Sequence, residues 1–336
     1  MIVSHFLKTR NPFLSITVGV SFQVSKLNAK LRNHLSNKYS NLMFEPSSKI
    51  REASHAGSWY IGDAKQLDAQ LNDFLSKAKG ETIPNIKAII GPHAGFSYSG
   101  PTAAFAYQHL VQKERMRVFL LGPCHHTYIK GIGLSELEQY ETPLGNIELD
   151  QPTIKQLSAE LKKNYVFTNK DIEEQEHSLE MHLPFIYKVF PKCKLIPIMV
   201  GATSEEQDAQ VANVLVKYFV DPNTVFVISS DFCHWGKRFQ YTPYNKEHGE
   251  IHQSIAQLDG QAIKLIESHN LKEFYKYLDE TENTICGRHP ICVLLNIINL
   301  SKLQLKTQLA RYAQSSQVTK PNDSSVSYAA LVTSLI

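Results

Sequence analysis

Four short stretches of the chain combine residue types that hold metal ions or move protons. They are His93-Ala94-Gly95, Cys124-His125-His126, Asp231-Phe232-Cys233-His234-Trp235-Gly236 and Cys286-Gly287-Arg288-His289-Pro290. Imidazole, thiolate and carboxylate are the common protein ligands of transition ions, and the same groups act as general acids and bases. A fifth stretch, Glu176-His177-Ser178-Leu179-Glu180-Met181-His182, adds carboxylates and imidazoles. Its spacing is not the HExxH helix of zinc proteases. It reads either as a helix cap leading into Leu183-Pro184 or as acceptors that hold ligand imidazoles in one tautomer.

The elements that must carry these residues can be read from periodicity. Ile86–Ile90, Val118–Leu121, Leu195–Val200 and Val225–Ile228 are short apolar runs typical of buried strands, and three of them feed a chemical stretch. The first breaks at Gly91-Pro92 before His93, the second at Gly122-Pro123 before Cys124, and the last at Ser229-Ser230 before Asp231. Ligands in open α/β sheets bind outside the carboxyl ends of the strands. One histidine at such a place is most simply a packed or solvated residue. Three at matching places predict a metal or catalytic centre, provided the strands are neighbours.

Between the runs, Leu67, Leu71, Phe74, Leu75 and Ala78 follow helical spacing, with Gly80 as the expected stop. A helix is expected to start at Pro101, and another to open on a Thr203/Glu206 capping pair. Residues 247–280 and His289–Leu300 read as helical, and Val326–Val332 as a closing strand. Strands alternating with amphipathic helices predict an α/β fold. No Pro-, Gly- or Ser-rich linker divides residues 45–336, so they are read as one domain.

Composition narrows the function classes. The 336 residues are 43% hydrophobic and 20% charged, an ordinary globular balance. Residues 1–44 hold six basic residues and no acid; removing those six from the net charge of +3 leaves residues 45–336 at −3. The body is therefore mildly acidic, which argues against nucleic-acid binding. No apolar run is long enough for a membrane span. The five cysteines are scattered, without CxxC, which suits a reducing cytoplasm rather than a disulfide framework. The basic, Ser-dotted extension 1–44 has the composition of a transit peptide, but Leu14 to Val24 alternate like a strand. It is expected to be a disordered, dispensable tail or to precede a true start at Met43, with a transit segment as the alternative.

Cys286, flanked by Gly287, Arg288 and His289, is expected to sit in cationic surroundings that favour its thiolate. Alternatively it is a packed thiol ahead of a helix, with Arg288 binding a carboxylate or phosphate. No GxSxG elbow, P-loop or GxGxxG follows a strand. A Cys286/His234 hydrolase would lack a recognisable oxyanion hole.

At these motifs the chain resembles the Memo family, mediators of ErbB-driven cell motility. The resemblance runs through Arg51–Tyr60, Pro92–Gly95, Gly122–His126, Glu176–Pro184, Ser229–Gly236, Thr284–Pro290 and Tyr312–Ser316. It implies a single domain with a central mixed sheet flanked by helices, like the class III extradiol (LigB-type) dioxygenases. There it places His93 and His125 on the two metal-ligand histidines, Cys286 on the carboxylate ligand, and His234, with Asp231 beside it, on the acid–base position. His126, His177, Glu180 and His182 would support the ligands.

A thiolate in place of the carboxylate shifts the expected ion from Fe(II) alone toward Cu(I)/Cu(II), with Zn also accommodated. The resemblance further implies a cytoplasmic and also nuclear signalling adaptor, mitochondrial only with a true transit peptide. Its partner would be a phosphotyrosine-containing receptor segment or another signalling protein, met by Trp59, Tyr98, Trp235 and Arg288. The alternatives are a working non-haem Fe(II) dioxygenase and a metal-free phosphopeptide-binding module.

Overall fold

The computed structural model describes residues 49–336 except Lys79 and residues 111–115; the N-terminal extension and its strand-like segment lie outside the described residues. Residues 49–336 form one compact unit.

The chain opens with strand β1 (Ile50–Arg51) and helix α1 (Ala64–Lys77). Asp63 caps the helix by accepting from the Gln66 amide, and the helix ends at Ala78, ahead of Gly80. Strand β2 (Ile86–Gly91) leads into α2 (Phe96–Tyr107), and β3 (Arg117–Pro123) follows. Here the expected start at Pro101 is corrected. The helix begins at Phe96, and Pro101 sits inside it, where only the carbonyl one turn back loses its partner. Burial of Phe96, Ala103, Ala104 and Tyr107 against the sheet outweighs that loss.

A peripheral segment carries β4 (Ile132–Ser135), β5 (Gln139–Tyr140), β6 (Ile147–Leu149), α3 (Gln151–Leu161) and β7 (Tyr165–Thr168). Three short helices then cross the carboxyl edge of the sheet: α4 (Lys170–Gln175), α5 (His177–Glu180) and α6 (Leu183–Val189). Strand β8 (Lys194–Val200), helix α7 (Glu205–Val220) and strand β9 (Thr224–Ser229) complete the centre. The capping box of α7 is one residue later than expected. Ser204 pairs with Gln207, while the Thr203 hydroxyl is drawn off to the buried Asp208 carboxylate at 2.6 Å.

The last part holds β10 (His234–Trp235), α8 (Ile251–Glu267), α9 (Leu271–Thr281) and α10 (Arg288–Ser301), then the long pair β11 (Leu305–Gln314) and β12 (Ser325–Leu335). The mixed sheet runs β1-β5-β6-β8-β3-β9-β2-β12-β10, with β11 on β12 and β4 joining β7 to β8. Strand β9 lies between β3 and β2, parallel to both. The three strands that deliver His125, Asp231 and His93 are therefore adjacent and point the same way. Ile89, Val118, Phe119, Leu120, Phe226 and Val227 are fully buried along them, which fixes their register. No helix among the described residues is long and apolar enough to cross a membrane.

Candidate metal centre

Strand β2 ends at Gly91, and the chain turns through Pro92 so that His93 stands over the end of β9. Its Nδ1 lies 2.6 Å from the Ser229 hydroxyl. That hydroxyl gives its one proton to the Ser178 carbonyl at 2.7 Å, so toward His93 it acts as acceptor. Nδ1 of His93 therefore carries the ring proton, and Nε2 presents a lone pair. Nε2 faces Cys286 Sγ at 3.1 Å.

His125 is held the same way. After β3, its Nδ1 donates to Glu176 Oε1 at 2.8 Å, and its backbone amide donates to the other carboxylate oxygen. Glu176 also caps α5 through the Ser178 amide. Burial opposes its charge, but the bonds from the His125 ring and backbone prevail and hold the carboxyl down to about 2. A carboxylate on Nδ1 fixes the tautomer and makes Nε2 the more basic donor.

Cys286 comes from the turn before α10. Its Sγ receives the Asp231 amide at 3.3 Å and lies 3.5 Å from the Asp231 carbonyl. That approach depends on Gly287, because a β-carbon there would stand 2.4 Å from the Ser229 carbonyl oxygen and from Ser230 Cβ. The ligand atoms of His93, His125 and Cys286 all lie within 4.8 Å of one another. Two imidazole lone pairs and a sulfur on one face are a donor set for a borderline or soft transition ion. A second close group, His125, Glu176 and His177, shares His125, but its carboxylate is already spent on that ring.

His234 is fixed by Phe232 and Thr284 carbonyls at 2.9 and 3.1 Å from Nδ1, leaving its Nε2 unprotonated. Burial keeps both His234 and His93 neutral, aided for His93 by the neighbouring rings His125 and His177. The Asp231 carboxylate accepts the His93 amide at 2.9 Å, and burial pushes its acid up to about 7. His177 packs on His125 at 4.5 Å and on Trp59 at 4.4 Å, and burial lowers its imidazole to about 4.

The profile of the family described as Memo-like protein matches residues 51–332. The chain belongs to the Memo family. It is 44% identical to Protein MEMO1 of Xenopus laevis over 292 residues, which cover 84% of this chain and 97% of that protein. To Protein MEMO1 of Homo sapiens it is 44% identical over 289 residues, 83% of this chain and 96% of that one. To the Protein memo-1 homolog of Caenorhabditis elegans it is 40% identical over 286 residues, 83% and 81% of the two chains. An uncharacterized protein from Escherichia coli K12 gives a TM-score of 0.42 at 11% identity, covering 72% of this chain and 98% of its own. That likeness is too remote to bear on function. The Memo fold is that of the LigB-like proteins, and the single mixed-sheet domain has that architecture.

Within this Memo domain several expected roles change. The Cys286 thiol is not held as a thiolate by its sequence neighbours. Burial, with the Asp231 charge added, pushes its pKa up, and the His289 ring turns instead to Asp208 at 3.3 Å. Trp235 offers no ligand surface: it is 2% exposed, and its indole N–H donates to the Pro243 carbonyl. Trp59 and Tyr98 are exposed, at 38% and 61%, and Arg288 is exposed at the start of α10.

The supporting residues also divide. His126 and His177 pack around His125. Glu180 contacts no ligand. Its buried carboxylate accepts from Arg51 at 2.6 Å, the His55 ring at 2.7 Å, the His55 amide at 2.9 Å and the Tyr60 hydroxyl at 2.8 Å. His182 is buried beside Gly91 with Nδ1 2.8 Å from the Tyr107 hydroxyl.

Ser229 and Ser178, which set the His93 tautomer, escaped sequence reasoning because serine after a strand carries no signal of its own. Glu176 stood in a recognised cluster, but its partner His125 lies 51 residues away.

Proposed function

We propose that this Memo-family protein binds one iron or copper ion through His93, His125 and Cys286. The observation that supports this reading most directly is the pair of relays, Ser178–Ser229–His93 and Glu176–His125, which leave both Nε2 lone pairs facing one thiol. The donor set fits such an ion, which would supply a Lewis-acid or redox centre. The residues around it have defined tasks. Ser229 and Glu176 keep the ring protons off the ligand atoms. The Asp231 backbone holds the sulfur, and binding must displace the Cys286 proton. In the cell the reading is of a signalling adaptor in receptor tyrosine kinase-driven motility, with Trp59 and Tyr98 as exposed aromatic surface for a phosphotyrosine segment.

Anaerobic titration of the full chain with Fe(II), Cu(I) and Zn(II) tests the centre. Binding at one site, weakened by both His93→Ala and Cys286→Ser, is expected. Unchanged affinity in both variants would remove it and favour a metal-free phosphopeptide module. A dioxygenase reading draws on one observation, the neutral His234 held by two carbonyls as a ready base. Oxygen uptake with catechols by the Fe(II)-loaded protein, lost in His234→Ala, would raise it above the adaptor reading.

A further inference from the structure

Cys286 also borders a separate space. A cavity of about 270 Å³ lies between the ends of β3 and β8 and the start of α10, with Cys124, Thr127, Tyr128, Cys286, Arg288 and His289 among its walls. Arg288 is the only lysine, arginine, aspartate or glutamate in that lining, and Pro123, Ile129, Val200 and Pro290 supply an apolar wall. The guanidinium makes no ion pair and no side-chain hydrogen bond among the described residues. The reason is close by. The buried carboxylate of Asp208 is already filled by the Tyr275 hydroxyl at 2.9 Å, the Thr203 hydroxyl at 2.6 Å and the His289 ring at 3.3 Å. That carboxylate is therefore not available to Arg288.

The size and charge around the cavity restrict what it can hold. A volume of about 270 Å³ lies just below the range of about 300–1,000 Å³ usual for drug-sized ligands. A larger cleft of about 530 Å³ shares Thr203, Arg288 and His289 with it and is lined by Glu205, Asp279 and Glu282. Those carboxylates oppose any ligand that carries several negative charges. A fork of guanidinium donors matches the two oxygens of a carboxylate.

We propose that this cavity binds a small organic monocarboxylate with a compact apolar body. Its carboxylate pairs with Arg288, and its body packs on Pro123, Ile129, Val200 and Pro290. The site needs no metal, so its success or failure is separate from that of the proposed centre.

The test uses the full chain, reduced and stripped of metal by chelation, titrated calorimetrically with benzoate and with isovalerate. Benzyl alcohol, benzylamine and inorganic phosphate serve as comparators. Saturable binding of the two carboxylates is expected, with no binding of the alcohol or the amine. Arg288→Gln, an exposed change whose folding is checked by circular dichroism, is expected to weaken binding about tenfold or more. Arg288→Lys should recover part of the loss. Equal affinity in Arg288→Gln would overturn the proposal. So would phosphate binding as tightly as benzoate, or no saturation by either carboxylate up to about 10 mM, a Kd already weaker than specific recognition needs.

Discussion

Ser229 accepts the ring proton of His93 because its own proton is committed to the Ser178 carbonyl. One hydroxyl thereby decides which nitrogen of a buried imidazole is left to bind. Ser229→Ala is expected to leave the fold in place and to lower metal affinity by about 10–100-fold, the usual effect of losing a residue that orients a ligand. Competition with a chromophoric chelator under anaerobic conditions measures this. Wild-type affinity in the alanine variant would show that the tautomer is set elsewhere.

The sulfur of Cys286 is expected to set the choice of ion. Cys286→Asp converts the face to two imidazoles and a carboxylate, the donor set suited to Fe(II). The ratio of Cu(I) to Fe(II) affinity should fall by about tenfold or more, since thiolate favours the softer ion. Parallel titrations of the two ions into wild type and variant give the ratio directly, and an unchanged ratio would mean that the sulfur is not a ligand.

Acid should unfold the protein in two stages. His182 is buried, and that burial lowers its imidazole to about 3, whereas an unfolded histidine titrates near 6.5. Its contribution is complete above about pH 6.5 and is lost as the pH falls toward 3, because only the unfolded chain takes up the proton. Burial opposes the charge of Glu180 too, but the His55 ring and Arg51 hold its carboxyl at about 2, against about 4.3 unfolded. That contribution is complete above about pH 4.3 and declines toward pH 2. Urea unfolding at a series of pH values should show stability level near neutrality, falling below pH 6.5 and more steeply below 4.3. A stability profile flat down to pH 3 would contradict both assignments.

Gly287→Ala tests how closely α10 must approach the end of β9. The added carbon would press on the Ser229 carbonyl, which is backbone and has no rotamer to yield. A loss of about 1–3 kcal/mol is expected, typical of overpacking. Metal affinity should fall with it, since Cys286 is the preceding residue. Thermal melts read the first effect and chelator competition the second; a variant normal in both would mean that the turn relaxes freely.

Much of the candidate site was legible because its residues sit at abrupt ends of apolar runs. His93 and His125 each follow a Gly-Pro break, and strand ends of that kind limit where a side chain can go. The order of the strands was not legible, since nothing local in β9 says that it inserts between β2 and β3. Strand β11 went unseen for another reason. Leu305–Gln314 is half exposed and mixes helix-forming residues, and a bulge between Leu309 and Arg311 breaks its alternation. Trp235 was misjudged because an aromatic beside a chemical motif looks the same in sequence whether it faces a ligand or the Pro243 carbonyl. The thiolate expected for Cys286 failed on burial: Arg288 and His289 follow it in the chain, but burial and the Asp231 charge govern the thiol, and the His289 ring is taken by Asp208.

The 193 residues that separate His93 from Cys286 also bear on biosynthesis. At translation rates of about 5–20 residues per second, both imidazoles of the proposed ligand set leave the ribosome many seconds before the sulfur does. During that interval a growing chain carries both imidazoles of the proposed set without the Cys286 sulfur that would join them. The proposed three-ligand face is therefore complete only after residue 286 of 336 has been made.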